Sequence, residues 1–309
     1  MVAALVGDLG RLPHVDLHWM CDQRVAGESF GRGTVHFVSQ AEEEAISFQR
    51  LAAQSDWTLV IAPEFDGHLV RRCELVERVG GRLLGPSLIA VRLAADKQKT
   101  IECLAKCGVA TPHGRPIHPG TAIPPDFGFP AVLKPIDGAG SIGMIWIESA
   151  EHAASVTVNR CTRRLERYCP GMAASVAFLC AKTHFIDLPP CRQLIDRKAG
   201  FAYRGGQWPL EPALARRAST LAHRAVACLP PLLGYLGVDL ILGTSPDGAD
   251  DVVIEINPRL TTSYVGLRAL SEQNLAEAIL DVAMGSAVRL SFCRESLLLW
   301  ADGEVQRGA

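Results

Sequence analysis

The sequence lacks an excess of charge of either sign: 31 Lys and Arg against 33 Asp and Glu leave a formal −2 and a pI near 6.5. Without a global basic field it has no general pull toward nucleic acid or an acidic membrane surface, so neither is expected as a partner and small-molecule chemistry is favoured. It also lacks an apolar run of membrane-spanning character. The longest, "LAHRAVACLPPLLGYLGVDLIL" at 221–242, is broken by His223, Arg224, two prolines and Asp239. The ten cysteines include no CxxC pair, and the first residues do not read as a secretory signal, which points to reduced thiols in a cytoplasm. Cys103 and Cys107 lie four apart on an expected helix with nothing nearby to complete a zinc site, so they are read as core packing. Internal repeats and low-complexity segments are absent too. What is present is 309 residues, 48% hydrophobic, enough for two or three lobes of α/β class with cores of their own.

Along the chain, "MVAALVGDLGRLPHVDLHWM" predicts a short amphipathic helix and then a strand with Val15, Leu17 and Trp19 on one face. A Rossmann-like lobe normally opens on a strand, and the missing one suggests an early truncation or a late start. The apolar run at 57–62, the helical "HLVRRCELVERV" and the strand-like "GRLLG" imply a small parallel sheet up to about Pro86. From residue 87 the pattern changes. "AADKQKTIECLAKCGVATP" predicts a helix capped by Asp96, with Ile101 and Leu104 inward and Gly108 as the stop. Strands follow in "FPAVLKP", "GMIWIES", "SVAFLCAKTHFIDL" and "RQLI", then the helix "EPALARRASTLAHRAVACL". "GVDLILG" and "DVVIEINP", joined by "TSPDGAD", predict a hairpin, and "NLAEAILDVAMG" a helix opened by Asn274 and Glu277. The tail "ADGEVQRGA" is expected to fray.

The oddity in this pattern is "VVIEINPR". Side chains alternate across a sheet, so Glu255, Asn257 and Arg259 share one side while Ile254 and Ile256 take the other. Pairing about the turn places Asp239 opposite the neighbourhood of Glu255 to Asn257. Two carboxylates repel unless one is protonated or a cation lies between them, and oxygen-only ligands suit a hard ion such as Mg2+, with Mn2+ as the alternative. A solvated outer face of an edge hairpin would explain the same residues without any ion. In "DGAGSIG", Gly138, Gly140 and Gly143 stand in GxGxxG order, but the next residues, "MIWIES", predict a strand where a dinucleotide site needs a helix. The glycines therefore read as a hairpin tip whose N–H groups could close over phosphates. Lys134 ends the strand before this loop, where a cation could reach a phosphate. Lys97 lies in the first turn of its helix, against the macrodipole, a conflict that a nearby anion would relieve.

Taken in order, "ADK" (95–97), "VLKPIDGAGSIG" (132–143), "LERYCPGMAASV" (165–176), "VDLIL" (238–242) and "EINPR" (255–259) resemble the ATP-grasp superfamily over roughly 86–265. The resemblance implies an ATP-grasp fold with a shortened Rossmann-like first domain at 1–86, a central lobe with the glycine-rich lid at 87–165, and a C-terminal lobe with the metal site at 166–309. It implies that Lys97 and Lys134 contact ATP phosphates and that the loop around Ser141, with Gly138, Gly140 and Gly143, is the phosphate lid. Glu166 to Cys169 match the hinge, with backbone near Tyr168 and Cys169 meeting adenine. Asp239, Glu255 and Asn257 match the magnesium ligands, and Arg259 the arginine that steadies phosphate. The pattern departs from D-alanine ligases at the ribose-binding glutamate, where Gly171 is followed by Met172 and Ala173, and at the arginine before the metal aspartate, where Gly237 and Val238 stand.

"VIAPEFDG", "RLAADKQKTIECLAKCGVATP" and "EINPRLTTSYVGLR" look most like the tyramine-glutamate ligases of methanofuran-type, one-carbon carrier biosynthesis. This implies an acid and an amine as small-molecule substrates. Arg259 with Thr261, Thr262 and Ser263 would bind the acid; Gln193, Tyr203 and Tyr264 would line the amine pocket; Glu64, Asp187 and phosphate itself are the open choices of general base. A ligase for another acid and amine, and a non-catalytic ATP-binding module, remain the alternatives. A nicotinamide dehydrogenase would rest on GxGxxG alone. A homo-oligomer is left open.

Overall fold

In chain order, α1 (Val2–Leu9) leads to two strands, β1 (His18–Asp22) and β2 (Thr34–Val38), and to α2 (Ala41–Gln54) and α3 (His68–Arg78). Next come α4 (Leu88–Ala94) and α5 (Lys97–Lys106), then β3 (Gly114–Ile117), β4 (Ala131–Pro135), β5 (Ile145–Ile147), α6 (Ala150–Ser155) and β6 (Arg163–Arg167). The last part holds β7 (Met172–Cys180), β8 (Phe185–Asp187), β9 (Cys191–Asp196), β10 (Ala202–Trp208), α7 (Pro212–Val226), β11 (Gly234–Leu242) and β12 (Val252–Asn257). It closes with α8 (Ser263–Leu270), α9 (Leu275–Met284), β13 (Leu297–Trp300) and β14 (Val305–Arg307). The structure is a computed structural model describing residues 1–25, 31–182 and 184–308. Thr183, inside one expected strand segment, lies outside the described residues.

Two antiparallel sheets carry the fold: a smaller one ordered β3-β6-β4-β5, and a larger one ordered β12-β11-β7-β9-β10-β13-β14 with β8 beside β7. Strand β6 crosses the junction expected at 165–166 and pairs with β3 and β4, so the smaller sheet extends to Arg167. At the centre of the larger sheet, β7 is apolar and buried at almost every position, which a strand sustains only when both faces are covered. Alternation divides the two covers. Val176, Phe178 and Cys180 share a core with Ala218, Ala222 and Ala225 of α7, while Ala177 and Leu179 pack with Leu5 and Leu9 of α1 and Ile279 of α9. The second cover stops short. Toward the Ser175 end, the same face of the sheet is left as the floor of a cleft, and the smaller sheet and the glycine loop form its opposite wall.

Asp96 caps α5 as expected, accepting from Lys99 N at 3.0 Å, and Ile101 and Leu104 are buried. Four expectations need correction. Strand β1 begins only at His18, so Val15 and Leu17 pack against the core from outside it. The run at 57–62 and "GRLLG" meet in one parallel bridge, Thr58 to Leu83, because the second segment runs at once into Pro86, which cannot extend a ladder. The tail folds back as β14 against β13. Cys107 is exposed beyond the end of α5 and is no core residue, whereas half-buried Cys103 donates to the Cys228 carbonyl.

Helix α1 is fixed to the far end of the chain by a buried carboxylate. Asp8 accepts from the Tyr264 hydroxyl at 2.7 Å and from two Arg268 nitrogens at 2.6 and 2.5 Å, and Asn274 donates to its backbone carbonyl at 2.9 Å. Removing one partner of such a buried pair leaves the other uncompensated. Asp8→Ala is therefore expected to lower stability by about 3 kcal/mol, read as a drop in the urea midpoint. A loss below about 1 kcal/mol would show that the staple does not hold α1.

Candidate active site

The β11–β12 hairpin pairs Asp239 directly with Glu255 and Gly237 with Asn257, so the expected convergence of carboxylates is realised on the cleft floor. The register slips between Asp239 and Leu240, which makes a bulge at Ile254. One expectation fails there. Ile254 lines the cleft instead of the core, and Val253 takes the core position, because the extra residue reverses the alternation. Asp239 accepts from Gln193 Nε2 at 2.9 Å and Asn257 Nδ2 at 3.0 Å. Burial, and then the Glu255 charge, push its carboxyl well above the usual range. Burial also pushes Glu255 up, but the charges of Lys97 and Lys134 and the Lys97 hydrogen bond outweigh it and hold that carboxyl low.

Lys97 stands where α5 begins, and the anion that relieves its conflict with the helix dipole is Glu255, 2.8 Å away. Burial disfavours the charged amine, yet Glu255, with Glu64 and Glu166 beyond it, raises its pKa. The same ammonium donates to the Gly138 carbonyl, and the Lys97 backbone N–H donates to Ile136 O at 2.9 Å. It therefore ties the root of the glycine loop to the carboxylate floor. The loop joins the antiparallel pair β4–β5, which is the hairpin tip expected and not a helix-opening dinucleotide turn. At its tip Gly140, Ser141 and Gly143 have φ of 61°, 61° and 73°, and Gly138, Gly140 and Ser141 line the cleft.

Lys134, buried in β4, meets Glu166 of β6 at 2.7 Å, and Arg164 grips the other oxygen of Glu166 at 2.6 Å. Glu166 thus positions cations from inside the sheet, while Tyr168 and Cys169 follow it as irregular chain lining the cleft. Gly171 ends that segment with φ 150°, and a Cβ there would lie 2.3 Å from the Leu242 carbonyl, so the turn into β7 requires glycine. Sequence reasoning missed the wall beside it. Arg197 donates to the Tyr168 hydroxyl at 3.2 Å and stands 5.5 Å from the rings of both Tyr168 and Trp146. Arg197 sits in the β9–β10 connection, and no motif links it to either aromatic.

Arg259 lines the cleft but is engaged with Glu64. Nη2 donates to Oε2 at 3.0 Å, and Nε lies 2.9 Å from Oε1 as an ion pair without a hydrogen bond. Glu64 itself is buried and outside the cleft lining. Gln193, Tyr203, Thr261, Thr262 and Ser263 do line it. Tyr264 does not: it is fully buried against Asp8, because α8 turns it inward. Asp187 does not either, since it pairs with Phe178, whose side chain faces α7. The cleft, ≈ 1290 Å³ in volume, thus has two acids and an amide on its floor, two lysines beside them, and a glycine loop above.

The sequence matches the ATP-grasp domain over residues 94–263 and the pre ATP-grasp 3 domain over residues 15–91. The chain belongs to the ATP-grasp family. Among curated relatives of this ATP-grasp chain, the tyramine–L-glutamate ligase of Methanocaldococcus fervens is 31% identical over 229 residues, 74% of this chain and 66% of the relative's own length. The L-amino acid ligase of Bacillus licheniformis superposes with a TM-score of 0.76 at 15% identity, covering 97% of this chain and 76% of that one. The biotin carboxylase domain of 2-oxoglutarate carboxylase from Hydrogenobacter thermophilus, a dimer in complex with MgADP, gives 0.76 at 16% identity, covering 96% and 71%. At these identities the two structures show the fold alone.

The donor set fits a hard divalent cation: two carboxylates crowded together in burial, one of them displaced upward in pKa, with the Asn257 amide beside them, whose oxygen a rotation about Cβ–Cγ would turn inward. Among the described residues no three His, Cys, Asp or Glu side chains cluster as a metal site, and Asn257 is the amide paired beside the two carboxylates that could add a neutral oxygen to them. Glu255→Ala should leave Lys97 without its partner and Asp239 without its neighbour. Mg2+-dependent nucleotide turnover is expected to fall about 10²- to 10³-fold, measured as ADP release at saturating ATP. Undiminished turnover would remove Glu255 from the site.

Proposed function

We propose that this ATP-grasp chain is an ATP-dependent carboxylate-amine ligase that activates the side-chain carboxylate of glutamate and joins it to the amine of tyramine, in the synthesis of a one-carbon carrier cofactor. The observation that carries the ligase reading is the pairing of Asp239 with Glu255 on a floor faced by Lys97, Lys134 and a glycine loop. The substrate pair rests on the tyramine–L-glutamate ligase relative, of which the chain spans 66%.

A carboxylate is an inert acyl donor because its leaving group would be oxide. Bound MgATP would supply the γ-phosphoryl group that makes phosphate the leaving group instead. The chain's own part is positioning and charge neutralisation. Lys134, held by Glu166, and Lys97, held by Glu255, both present ammonium groups to the cleft beside the root of the glycine loop. In our reading, phosphate oxygens take over the Lys97 contact to Gly138, which frees the loop at 137–143 to close and exclude water. Arg259, kept in place by Glu64, faces the transferring group, and Tyr168 and Cys169 border adenine. Mg2+ is the ion assigned to Asp239, Glu255 and Asn257, and a reducing cytoplasm is the setting that ten free cysteines suit. Among the described residues no helix is long and apolar enough to cross a membrane.

The test is incubation of purified protein with ATP, Mg2+, glutamate and a panel of amines, following ADP and product mass. Tyramine is expected to give a glutamyl amide with stoichiometric ADP and phosphate. Amide from another pair alone would overturn the substrates and leave the ligase; ATP hydrolysis without amide from any pair would overturn both. Lys134→Ala should lower the rate of amide formation about 10²-fold or more.

A further inference from the structure

At the end of the floor away from the glycine loop, three hydroxyls close a triangle. Tyr235 Oη lies 3.0 Å from Thr261 Oγ1 and 3.1 Å from Ser263 Oγ, and the latter two are 2.7 Å apart. Tyr235 and Ser263 are buried, and Thr261 and Ser263 face the cleft. The stoichiometry of hydrogens decides what such a ring can bind. Three contacts need three hydrogens, and three hydroxyls own three, so each oxygen donates once and accepts once. Every hydrogen is consumed inside the ring, and each oxygen keeps one unused lone pair. The ring can accept from a ligand but has nothing to donate.

The cation nearest in sequence, Arg259, is engaged with Glu64. The amino end of α8 would favour an anion, but its Tyr264 and Val265 amides donate to the carbonyls of Thr261 and Thr262 at 3.0 Å each. Room for the ring comes from Gly237. A Cβ there would lie 2.7 Å from Thr261 Cγ2, so β11 carries no side chain where Thr261 reaches toward Tyr235.

We propose that the Tyr235–Thr261–Ser263 ring is the receptor for a primary ammonium group of one of the two substrates, and that it selects against a carboxylate at that position. An ammonium brings donors to the vacant acceptors of Thr261 and Ser263, the two ring members that face the cleft, while Tyr235 fixes their hydrogens from behind; a carboxylate brings only acceptors and would have to break the ring. This rests on the ligase reading above and reassigns Thr261 and Ser263, expected from sequence to hold the acid. The ammonium can belong to the amine substrate or to the amino group of the amino-acid donor, and two arms of one experiment separate them.

Wild type, Tyr235→Phe, Thr261→Val and Ser263→Ala, each checked for an unchanged melting temperature, are titrated calorimetrically in the presence of Mg2+ and a non-hydrolysable ATP analogue. The ligands are tyramine, its N,N,N-trimethyl analogue, glutamate, and glutarate, which is glutamate without its amino group. Loss of one ring member is expected to weaken either tyramine or glutamate about 10- to 100-fold in the variants that keep the wild-type melting temperature, naming the ammonium that the ring holds. Glutarate should stay within about twofold, and if tyramine is the affected ligand its trimethyl analogue should not distinguish wild type from variant. The proposal is overturned if glutarate weakens as much as glutamate, if no affinity changes, or if wild type binds neither ammonium ligand. Amide formation is scored separately. Ring-dependent ammonium binding without any amide would sink the ligase reading and spare the ring, whereas amide formation with ring-independent affinities would do the reverse.

Discussion

Two acidic side chains held side by side in a buried strand pair are the constraint around which the molecule is arranged. Asp239 and Glu255 face each other across the β11–β12 ladder, and like charges at that range are unfavourable without compensation. The compensation comes from distant parts of the chain. Lys97 arrives at the start of a helix, Gln193 from the neighbouring hairpin, and Lys134 from the opposite sheet. Both lysines are themselves held, Lys97 by the loop backbone and Lys134 by Glu166, which Arg164 holds in turn. The two sheets, whose hydrophobic cores are separate, are thereby joined electrostatically through the cleft.

That arrangement was legible in the sequence to the extent that it follows from period and order. Strand alternation and one turn-rich linker are enough to bring Asp239 opposite Glu255, and the capped helix that carries Lys97 announces itself through Asp96. The bulge at Ile254 is a different matter. It depends on how β12 bends to follow β11, and no composition cue separates "VVIEIN" with a bulge from the same letters without one. Strand β10, "AYRGGQW", is not among the expected strands, and its two adjacent glycines interrupt the apolar and aromatic residues that would mark one. In the sheet, Gly205 is pressed against the Leu299 carbonyl, where a Cβ would lie at 1.9 Å.

Contacts between segments far apart in the chain were the least legible. Nothing in "DLPPCRQLIDRKAG" says that Arg197 will stand over Tyr168, and nothing in "RLTTSYVG" distinguishes the hydroxyls that turn into the cleft from the tyrosine that turns away. Helix α8 makes that division, placing Ser263 beside Tyr235 and Tyr264 against Asp8. Adjacent residues thus serve a ligand chamber and a structural staple. Even a correct motif could not assign them separately.

The staple also bears on the order in which the chain can be completed. Asp8 is 256 residues from Tyr264, 260 from Arg268 and 266 from the Asn274 side chain that holds its carbonyl. On a ribosome adding about 5–20 residues per second, helix α1 is made before the surface that receives it and waits on the order of tens of seconds for it. Until then its Leu5 and Leu9 have no native partner in α9. Helix α1 can therefore complete its packing only after α8 and α9 have been made, so the staple closes late however early its aspartate is synthesised.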